Sequence, residues 1–436
     1  MTPAVSLSEN YPNYNLFLQE DIQQFIETHK DKEVTQTLLN LPKKYQDLRI
    51  EIGNQIKSLQ KSKQKLYLWH TTDKILFPPS LSIEQASSET TAEYKAHLLL
   101  QDGDNLKDKI LVDLTGGMGV DSFYFSQKVG KVIYIEQNEL LASLAKHNFE
   151  VLGAKNIEVI CGDSEVFLEK AKQEQKVFDW IYLDPARRDN VQKKVFLLED
   201  CQPNMVEVWR RFKNTGKKWL LKTAPLLDIQ LVLGRLEGVE NVEVVALQNE
   251  CKEVLYQLVS NESSIPVKEI SINAINLHGK NSKEKKIDGL DFSSFKSSLQ
   301  EEEDIFIDYS TENQVKSFLY EPNVAVLKAG AFKSISQKYK LYKFSTNTHL
   351  YTSDKLNDDF IGKIFEIKEI VSFSKKEVKR KFGKGSFNVV TRNFPMSVKE
   401  LRKQFQISEG KDEFLFFTTI TSYSSDEKIV LRVTKV

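Results

Sequence analysis

Between residues 110 and 185, apolar runs end again and again in an acid, and the first of them breaks into a cluster of glycines. Ile110 to Asp113 is followed by Leu114-Thr115-Gly116-Gly117-Met118-Gly119, with Asp121 just beyond. Lys131 to Glu136, Ile157 to Asp163 and Phe178 to Asp184-Pro185 repeat the arrangement. Glycines lack a Cβ and tolerate positive φ, so such a turn lets the backbone pass close to a nucleotide-like ligand. Asp113, inside the strand, repels phosphate and attracts positive charge. Glu136 falls where a carboxylate holds ribose hydroxyls, and Asp163 where one meets an adenine amino group. Asp184 and the Pro185 carbonyl suit the N–H groups of an amine, turning its lone pair toward an electrophile.

Gly117-Met-Gly-Val-Asp-Ser122 carries serine where a dinucleotide fingerprint needs its third glycine. The acid before the turn fits instead a nucleoside cofactor presenting an ammonium and a sulfonium, and S-adenosylmethionine is one. The elements that position these residues follow from periodicity. Each acid closes a buried parallel strand, and Leu140 to Leu152 and Ser164 to Gln173 read as amphipathic helices between strands. Strand ends of an open α/β sheet form one crevice. Singly, Asp113 capping the glycine turn and Asp163 capping the helix from Ser164 are competing readings. Acids ordered across successive strand ends favour a cofactor site.

Together, Asp113 to Ser122, Glu136, Gly162-Asp163 and Asp184-Pro185 resemble motifs I to IV of the class I S-adenosylmethionine-dependent methyltransferases. Glu84-Gln-Ala-Ser-Ser-Glu-Thr-Thr-Ala-Glu-Tyr-Lys95, Asp184-Pro-Ala-Arg-Arg188 and Leu221-Lys-Thr-Ala-Pro225 resemble, more closely, a bacterial family assigned to RNA methylation. In that family the catalytic domain precedes a ferredoxin-like module and a THUMP-like domain. The resemblance implies an α/β protein: a Rossmann-like, seven-stranded methyltransferase sheet with a reversed last strand, an N-terminal helical region and C-terminal α+β modules. Expected boundaries are 1–80 for the helical region, 81–261 for the methyltransferase domain, 262–319 for the ferredoxin-like module and 320–436 for the THUMP-like domain. Expected cofactor contacts are Asp113, Thr115, Gly116, Gly117, Gly119, Asp121, Glu136 and Asp163, with Asp184 and Pro185 catalytic.

Composition is that of an ordinary soluble protein, and 61 Lys plus Arg balance 61 Asp plus Glu, so any nucleic-acid footprint has to be local. Three cysteines without paired spacing or clustered histidines argue for a reducing cytoplasm and against a metal site. No leader and no membrane-spanning apolar run is read from the sequence. Near the start, Pro42 breaks a helical pattern from Val34 to Leu66 that ends in Lys57, Lys61, Lys63 and Lys65; these cover the catalytic domain with a solvated face or touch nucleic acid. Ser87 and Ser88 read as caps of the next helix, with Tyr94 and Lys95 facing substrate or solvent.

Farther on, Phe306 to Tyr309 reads as a short strand and Ser374 to Phe382 as a capped basic helix. The helix and its surroundings hold Lys375, Lys376, Lys379, Arg380, Lys381 and Lys384, the densest positive charge in the chain. Beside Phe382 and Phe387 this cluster is suited to tracking an RNA backbone, and a plain solvated face is the competing reading.

Ala186 and Arg187 replace the second proline and the aromatic residue of the usual amino-methyltransferase motif. Arg187 and Arg188 therefore become candidates for stacking on a base or binding phosphate. Carbon methylation of a pyrimidine needs a thiolate, and Cys161, in a strand read as buried, and Cys201 lack a histidine partner. The reading is thus methylation of tRNA or rRNA, held by Lys375, Lys376, Lys379, Arg380 and the two arginines, without a metal or a membrane. Its alternatives are methylation of a protein or small molecule, and a non-catalytic RNA-binding protein. Four carboxylates on one crevice argue against the last, because they repel one another unless something compensates them.

Overall fold

The computed structural model describes residues 17, 19–78, 80–102, 105–187, 198–260, 265–278, 286–287, 290–310, 315–421 and 426–436. Two units are distinguished. One contains the residues up to Glu240 with Glu253–Ser264 and Gly279–Asp291; the other contains Asn241–Lys252, Ile265–His278 and Phe292–Val436.

In the first unit, β1 (Ile110–Asp113), β2 (Lys131–Glu136), β3 (Ile157–Cys161) and β4 (Phe178–Leu183) form the parallel strands read from the sequence. β1 lies between β2 and β4, and β3 pairs with β2 on the other side. Gly216–Thr223 pairs in parallel with β4, and Glu250–Val259 runs antiparallel to it, which is the reversed strand of the expected sheet. β1, β2 and β4 carry continuous apolar runs because helices cover both faces of a parallel sheet. β3 is different. It has no other neighbour in this sheet, none of its residues is fully buried, and Cys161 is exposed, against the buried strand expected.

The helices Glu139–Val151 and Ser164–Gln173 fall where periodicity put them; of the helical pattern from Val195 to Phe212, 195–197 lie outside the described residues, Leu198–Asp200 is a 3₁₀ turn and the helix is Met205–Phe212. Asn204 caps it, accepting the amide hydrogens of Val206 and Glu207. The N-terminal helices Glu20–His29, Val34–Leu39 and Arg49–Lys65 share a core of Ile22, Ile26, Leu48, Ile52 and Ile56, to which Leu144 of the sheet-covering helix contributes. Pro42 separates the second and third, as expected, with a 3₁₀ turn at Lys43–Leu48. Three of the lysines closing Arg49–Lys65 are engaged within the chain: Lys61 with Glu84, Lys63 with Asp31, and Lys65 with the Ile83 and Glu84 carbonyls.

The second unit holds Val239–Leu247 from Asn241 onward, with Ser271–Leu277 parallel to it and Leu290–Ser297 antiparallel to that. A separate seven-stranded sheet follows, ordered Tyr342–Ser345, Thr348–Ser353, Phe318–Pro322, Gly362–Ser372, Asp426–Lys435, Glu413–Thr421, Asn388–Arg392. Alternation from Val267 to Leu277 reads as one strand; in the structure the strand is Ser271–Leu277, beside Val239–Leu247, and Val267–Glu269 is a 3₁₀ turn. The expected strand Phe306 to Tyr309 is absent; Phe306 is 95% exposed and Tyr309 makes only a single bridge to Lys343. Ser374 caps Lys375–Phe382 as read from the sequence, and Ser397 caps Val398–Phe405.

Asn148 fastens the N-terminal region to the sheet. Its buried amide accepts from the Leu76 N–H at 2.9 Å and donates to the Leu76 carbonyl at 2.8 Å. Asn148→Ala leaves both backbone groups without partners, so urea unfolding should show a loss of about 2–4 kcal/mol.

Candidate active site

The glycine turn is shaped by two carboxylates. Asp113 is buried at the end of β1, where its Oδ1 accepts the Thr115 N–H at 3.0 Å and its Oδ2 the Ser122 hydroxyl at 2.6 Å. Glu136, at the end of β2, accepts the Gly117 N–H at 2.8 Å and the Asn138 N–H at 2.7 Å. Gly117 and Gly119 have φ of +54° and +86°, a region open to glycine at little cost. Gly116 needs its missing side chain for another reason: a Cβ there would stand 2.2 Å from the Tyr134 ring. Thr115 links this turn to the next strand end, its hydroxyl oxygen accepting the Asp184 N–H at 2.7 Å.

Beneath the turn lies a cluster of charges that sequence reasoning did not find. Lys95, on the helix Glu89–Leu98, is wholly buried, which corrects the expectation that it faces substrate or solvent; Tyr94 is buried too. The Lys95 ammonium donates to both oxygens of Glu253 at 3.0 and 2.9 Å and to the Ser87 hydroxyl at 2.9 Å, and lies 3.1 Å from Asp121. Asp121 also accepts the Ser87 and Tyr182 hydroxyls, each at 2.9 Å. Ser87 is thus part of the cluster rather than a cap; Ser88 alone caps the helix. Lys222, on Gly216–Thr223, donates to Asp184 and stands 4.0 Å from Glu253. The motifs Glu84 to Lys95 and Leu221 to Pro225 were the available signal, since both carry these lysines.

Burial disfavours each of these charges, and their partners decide the outcome. Burial would lower Lys222, but Asp184, Glu253 and Asp121 outweigh it and hold the ammonium well above its ordinary value. For Asp121 too, burial opposes ionisation and loses to Lys95 and Lys222, so its carboxyl titrates below its ordinary range. Glu253 is pushed up, burial exceeding the pull of the same lysines. Asp113 has no cation beside it: burial first, with Asp121 and Asp184 adding repulsion, raises it to about 7 despite the Ser122 and Thr115 hydrogen bonds.

Of the expected residues, the structure brings together Asp113, Thr115, Gly116, Gly117, Gly119, Glu136 and Asp184 through these contacts, with Asp121 in the charge cluster below. Asp163 caps Ser164–Gln173, its Oδ1 accepting the Glu165 and Val166 N–H groups at 2.8 and 3.0 Å, so the capping reading holds for that oxygen. Pro185 follows, half-buried. Ala186–Arg187 forms a short strand with Cys201–Gln202, while the Arg187 side chain and Arg188 lie outside the described residues. Lys375, Lys376, Lys379 and Arg380 are exposed on a helix of the second unit. Phe382 and Phe387 are buried in that unit's core, so no aromatic platform accompanies the lysines. The Cys161 thiol is pushed up by burial and by Glu139 and Glu136, the opposite of a nucleophile's tuning. Among the described residues no group of acids, histidines and cysteines is arranged to hold a metal, and no helix is long and apolar enough to cross a membrane.

This sheet, its reversed strand and the acid-flanked glycine turn define a class I S-adenosylmethionine-dependent methyltransferase domain. Residues 90–205 match the family described as Conserved hypothetical protein 95, residues 318–360 a ferredoxin-like domain, and residues 362–435 a THUMP domain-like one. The ferredoxin-like match lies C-terminal to the 262–319 expected for that module. An assigned methyltransferase from Porphyromonas gingivalis W83, known by its crystal structure, is 31% identical with a TM-score of 0.81, covering 95% of this chain and 98% of its own. The chain belongs to the bacterial family of class I S-adenosylmethionine-dependent methyltransferases with C-terminal ferredoxin-like and THUMP-like domains.

Curated relatives share shorter stretches. An uncharacterized protein of Methanocaldococcus jannaschii is 28% identical over 167 residues, 38% of this chain and 60% of that protein. Ribosomal RNA small subunit methyltransferase J of Acinetobacter baumannii is 31% identical over 96 residues, 20% of this chain and 34% of that enzyme. The chain therefore spans less than two thirds of these curated relatives.

The family's cofactor fits the residues present. Glu136 is bracketed by Gly117, which donates to its carboxylate, and Gly162, which donates to its carbonyl. Neither glycine has a heavy atom within 3.5 Å of where a Cβ would stand, which leaves room for a nucleoside. Asp113, buried behind the turn with both oxygens already accepting hydrogen bonds, adds negative charge that a cationic ligand would feel through space. A cationic ligand favours ionised Asp113, so binding below pH 7 must expel a proton. S-adenosylmethionine affinity should rise with pH, by up to about tenfold per unit, and level off above about 7; calorimetry between pH 5.5 and 8.5 checks this. Asp113→Asn should bind weakly and without that slope.

Proposed function

We propose that the protein methylates an amino nitrogen of a base in tRNA or rRNA in the cytoplasm, using S-adenosylmethionine, and grips the RNA through its C-terminal domains. The observation that carries the reaction is the Thr115 bridge, which sets Asp184 beside the glycine turn held by Asp113 and Glu136. When bound, the cofactor supplies a methyl group on a sulfonium, already activated for displacement. The chain's own residues have then to bind and align. Asp113 and Glu136 hold the ammonium and ribose ends. Asp184 and the Pro185 carbonyl accept the N–H groups of the incoming amine and aim its lone pair.

Support for RNA comes from the relatives named above and from the second unit. The THUMP domain-like match covers the helix Lys375–Phe382. Arg380 and Lys381 are partly neutralised by Glu377 and Glu369, whereas Lys375, Lys376 and Lys379 have no carboxylate partner among the described residues. Val378 and Phe382 anchor the opposite face in the core. Such a fixed basic stripe suits phosphates, which bind by charge and position.

Two experiments test the reading. Labelled methyl should pass from S-adenosylmethionine to total RNA from a strain lacking the gene, and Asp184→Ala should slow this by a factor on the order of 100 or more while leaving cofactor affinity within about threefold. Label in protein and none in RNA refutes the RNA assignment. Replacing Lys375, Lys376, Lys379 and Arg380 together by Glu should weaken RNA binding and flatten its logarithmic salt dependence by roughly 3. Cofactor affinity should not move.

A further inference from the structure

A tyrosine grips the central peptide of the glycine turn. Tyr134 lies wholly buried on β2, and its hydroxyl donates to the Gly117 carbonyl at 2.6 Å. Glu136, two residues on and therefore on the same side of the strand, accepts the N–H of that same glycine. Burial first, then repulsion from Glu136 and Asp113, holds the Tyr134 phenol protonated far above the ordinary tyrosine range, so it stays a donor. Its ring fills the space that a Cβ at Gly116 would need, and Phe149, edge-on to it at 5.5 Å, does the same at Gly119. The turn itself is of type II′: Gly119 donates to the Gly116 carbonyl at 2.9 Å, Gly117 has φ of +54°, and Met118 does not have a positive φ. A trans peptide points its C=O and its N–H in opposite directions. With the Gly117 carbonyl drawn to Tyr134, the Met118 N–H points away from it. The other backbone N–H groups of the turn are taken, Thr115 by Asp113, Gly116 by the Ile135 carbonyl, Gly117 by Glu136 and Gly119 by the Gly116 carbonyl. The Met118 N–H has no acceptor among the described residues.

We propose that Tyr134 is a positioning residue for the cofactor, fixing the 117–118 peptide so that the Met118 N–H meets the carboxylate of S-adenosylmethionine. That carboxylate is the anionic group of a ligand otherwise matched to a crevice of acids. The buried ammonium groups at hand are engaged elsewhere, Lys95 by Glu253 and Asp121 and Lys222 by Asp184. A backbone N–H set in advance takes the carboxylate without adding a charge, and a hydrogen bond to an ionised acceptor is stronger than one between neutral groups. Reversing the peptide would turn the Gly117 carbonyl on the ligand's carboxylate. It would also put Met118 at positive φ, a conformation unfavourable for a residue with a side chain. The tyrosine hydroxyl and the chirality of Met118 thus hold the same orientation.

The test is calorimetry on the full-length protein with two ligands, S-adenosylmethionine and its decarboxylated analogue, which keeps the sulfonium and the ammonium. Wild type should bind the analogue more weakly by about tenfold or more. Tyr134→Phe, which removes one oxygen and keeps the ring, should weaken S-adenosylmethionine by about tenfold and leave the analogue within about threefold. Phe149→Leu loosens the same turn without touching the peptide, and should shift both ligands alike. Equal loss of the two ligands in Tyr134→Phe makes the tyrosine a general support of the turn and overturns the proposal. So does undiminished S-adenosylmethionine affinity in that variant. Wild type that binds both ligands equally well overturns it without any variant.

Discussion

The first unit depends on an ammonium buried where no water reaches it. Lys95 has three strong acceptors, Glu253, Asp121 and Ser87, and these come from a strand, the helix after the glycine turn, and the segment before its own helix. Taking such a charge out of water costs several kcal/mol, and removing one partner leaves another charge stranded. The cluster is therefore a poor way to gain stability and an effective way to fix geometry. It binds the segments 87–95, 121–126, 222–223 and 253–259 to one arrangement, and through Lys222 extends that arrangement to Asp184. Asp184 thus inherits its place from a network whose far end lies under the glycine turn.

The same network explains why Asp113 behaves unlike its neighbours. Lys95 and Lys222 compensate Asp121, Glu253 and Asp184 only in part: two positive charges face three negative ones. A further buried carboxylate finds no cation left, and repulsion from Asp121 and Asp184 adds to its desolvation. The crevice is short of positive charge by construction. A ligand carrying an ammonium and a sulfonium supplies what is missing, whereas a pyrophosphate would deepen the deficit. Selectivity for the cofactor class then lies in charge balance as much as in the shape of the glycine turn.

Much of this was legible in the sequence, and the limits have physical causes. β1, β2 and β4 announced themselves because a strand buried on both faces is a continuous apolar run, and the glycines and terminal acids marked their ends. The helix caps at Ser88 and Ser374 were readable because capping is local. Pairing is not local. Alternation marks Ser271–Leu277 as a strand, but nothing local names the Asn241–Leu247 stretch it pairs with. Lys95 was misread for a related reason: a lysine within a helix looks solvent-facing until one knows that Glu253, 158 residues away, meets it. Asp163, expected as a cofactor contact, gives one oxygen to the cap that was its competing local reading.

Overall neutrality concealed a second arrangement. The chain as a whole carries no net charge, yet Lys375–Phe382 concentrates five cations in eight residues against one acid. The helix can bear them because Val378 and Phe382 pay the folding cost on its other side, and because Ser374 and Glu377 satisfy its first turn. A face that is rigid, exposed and only partly neutralised persists whether or not a polyanion is present. Its affinity for phosphate then falls with salt and is indifferent to base identity. On the proposed reading, discrimination between nucleotides would fall to the crevice, at Asp184 and the Pro185 carbonyl. The proposed RNA binding and methyl transfer would then rest on different physics, long-range charge for the one and short hydrogen bonds for the other.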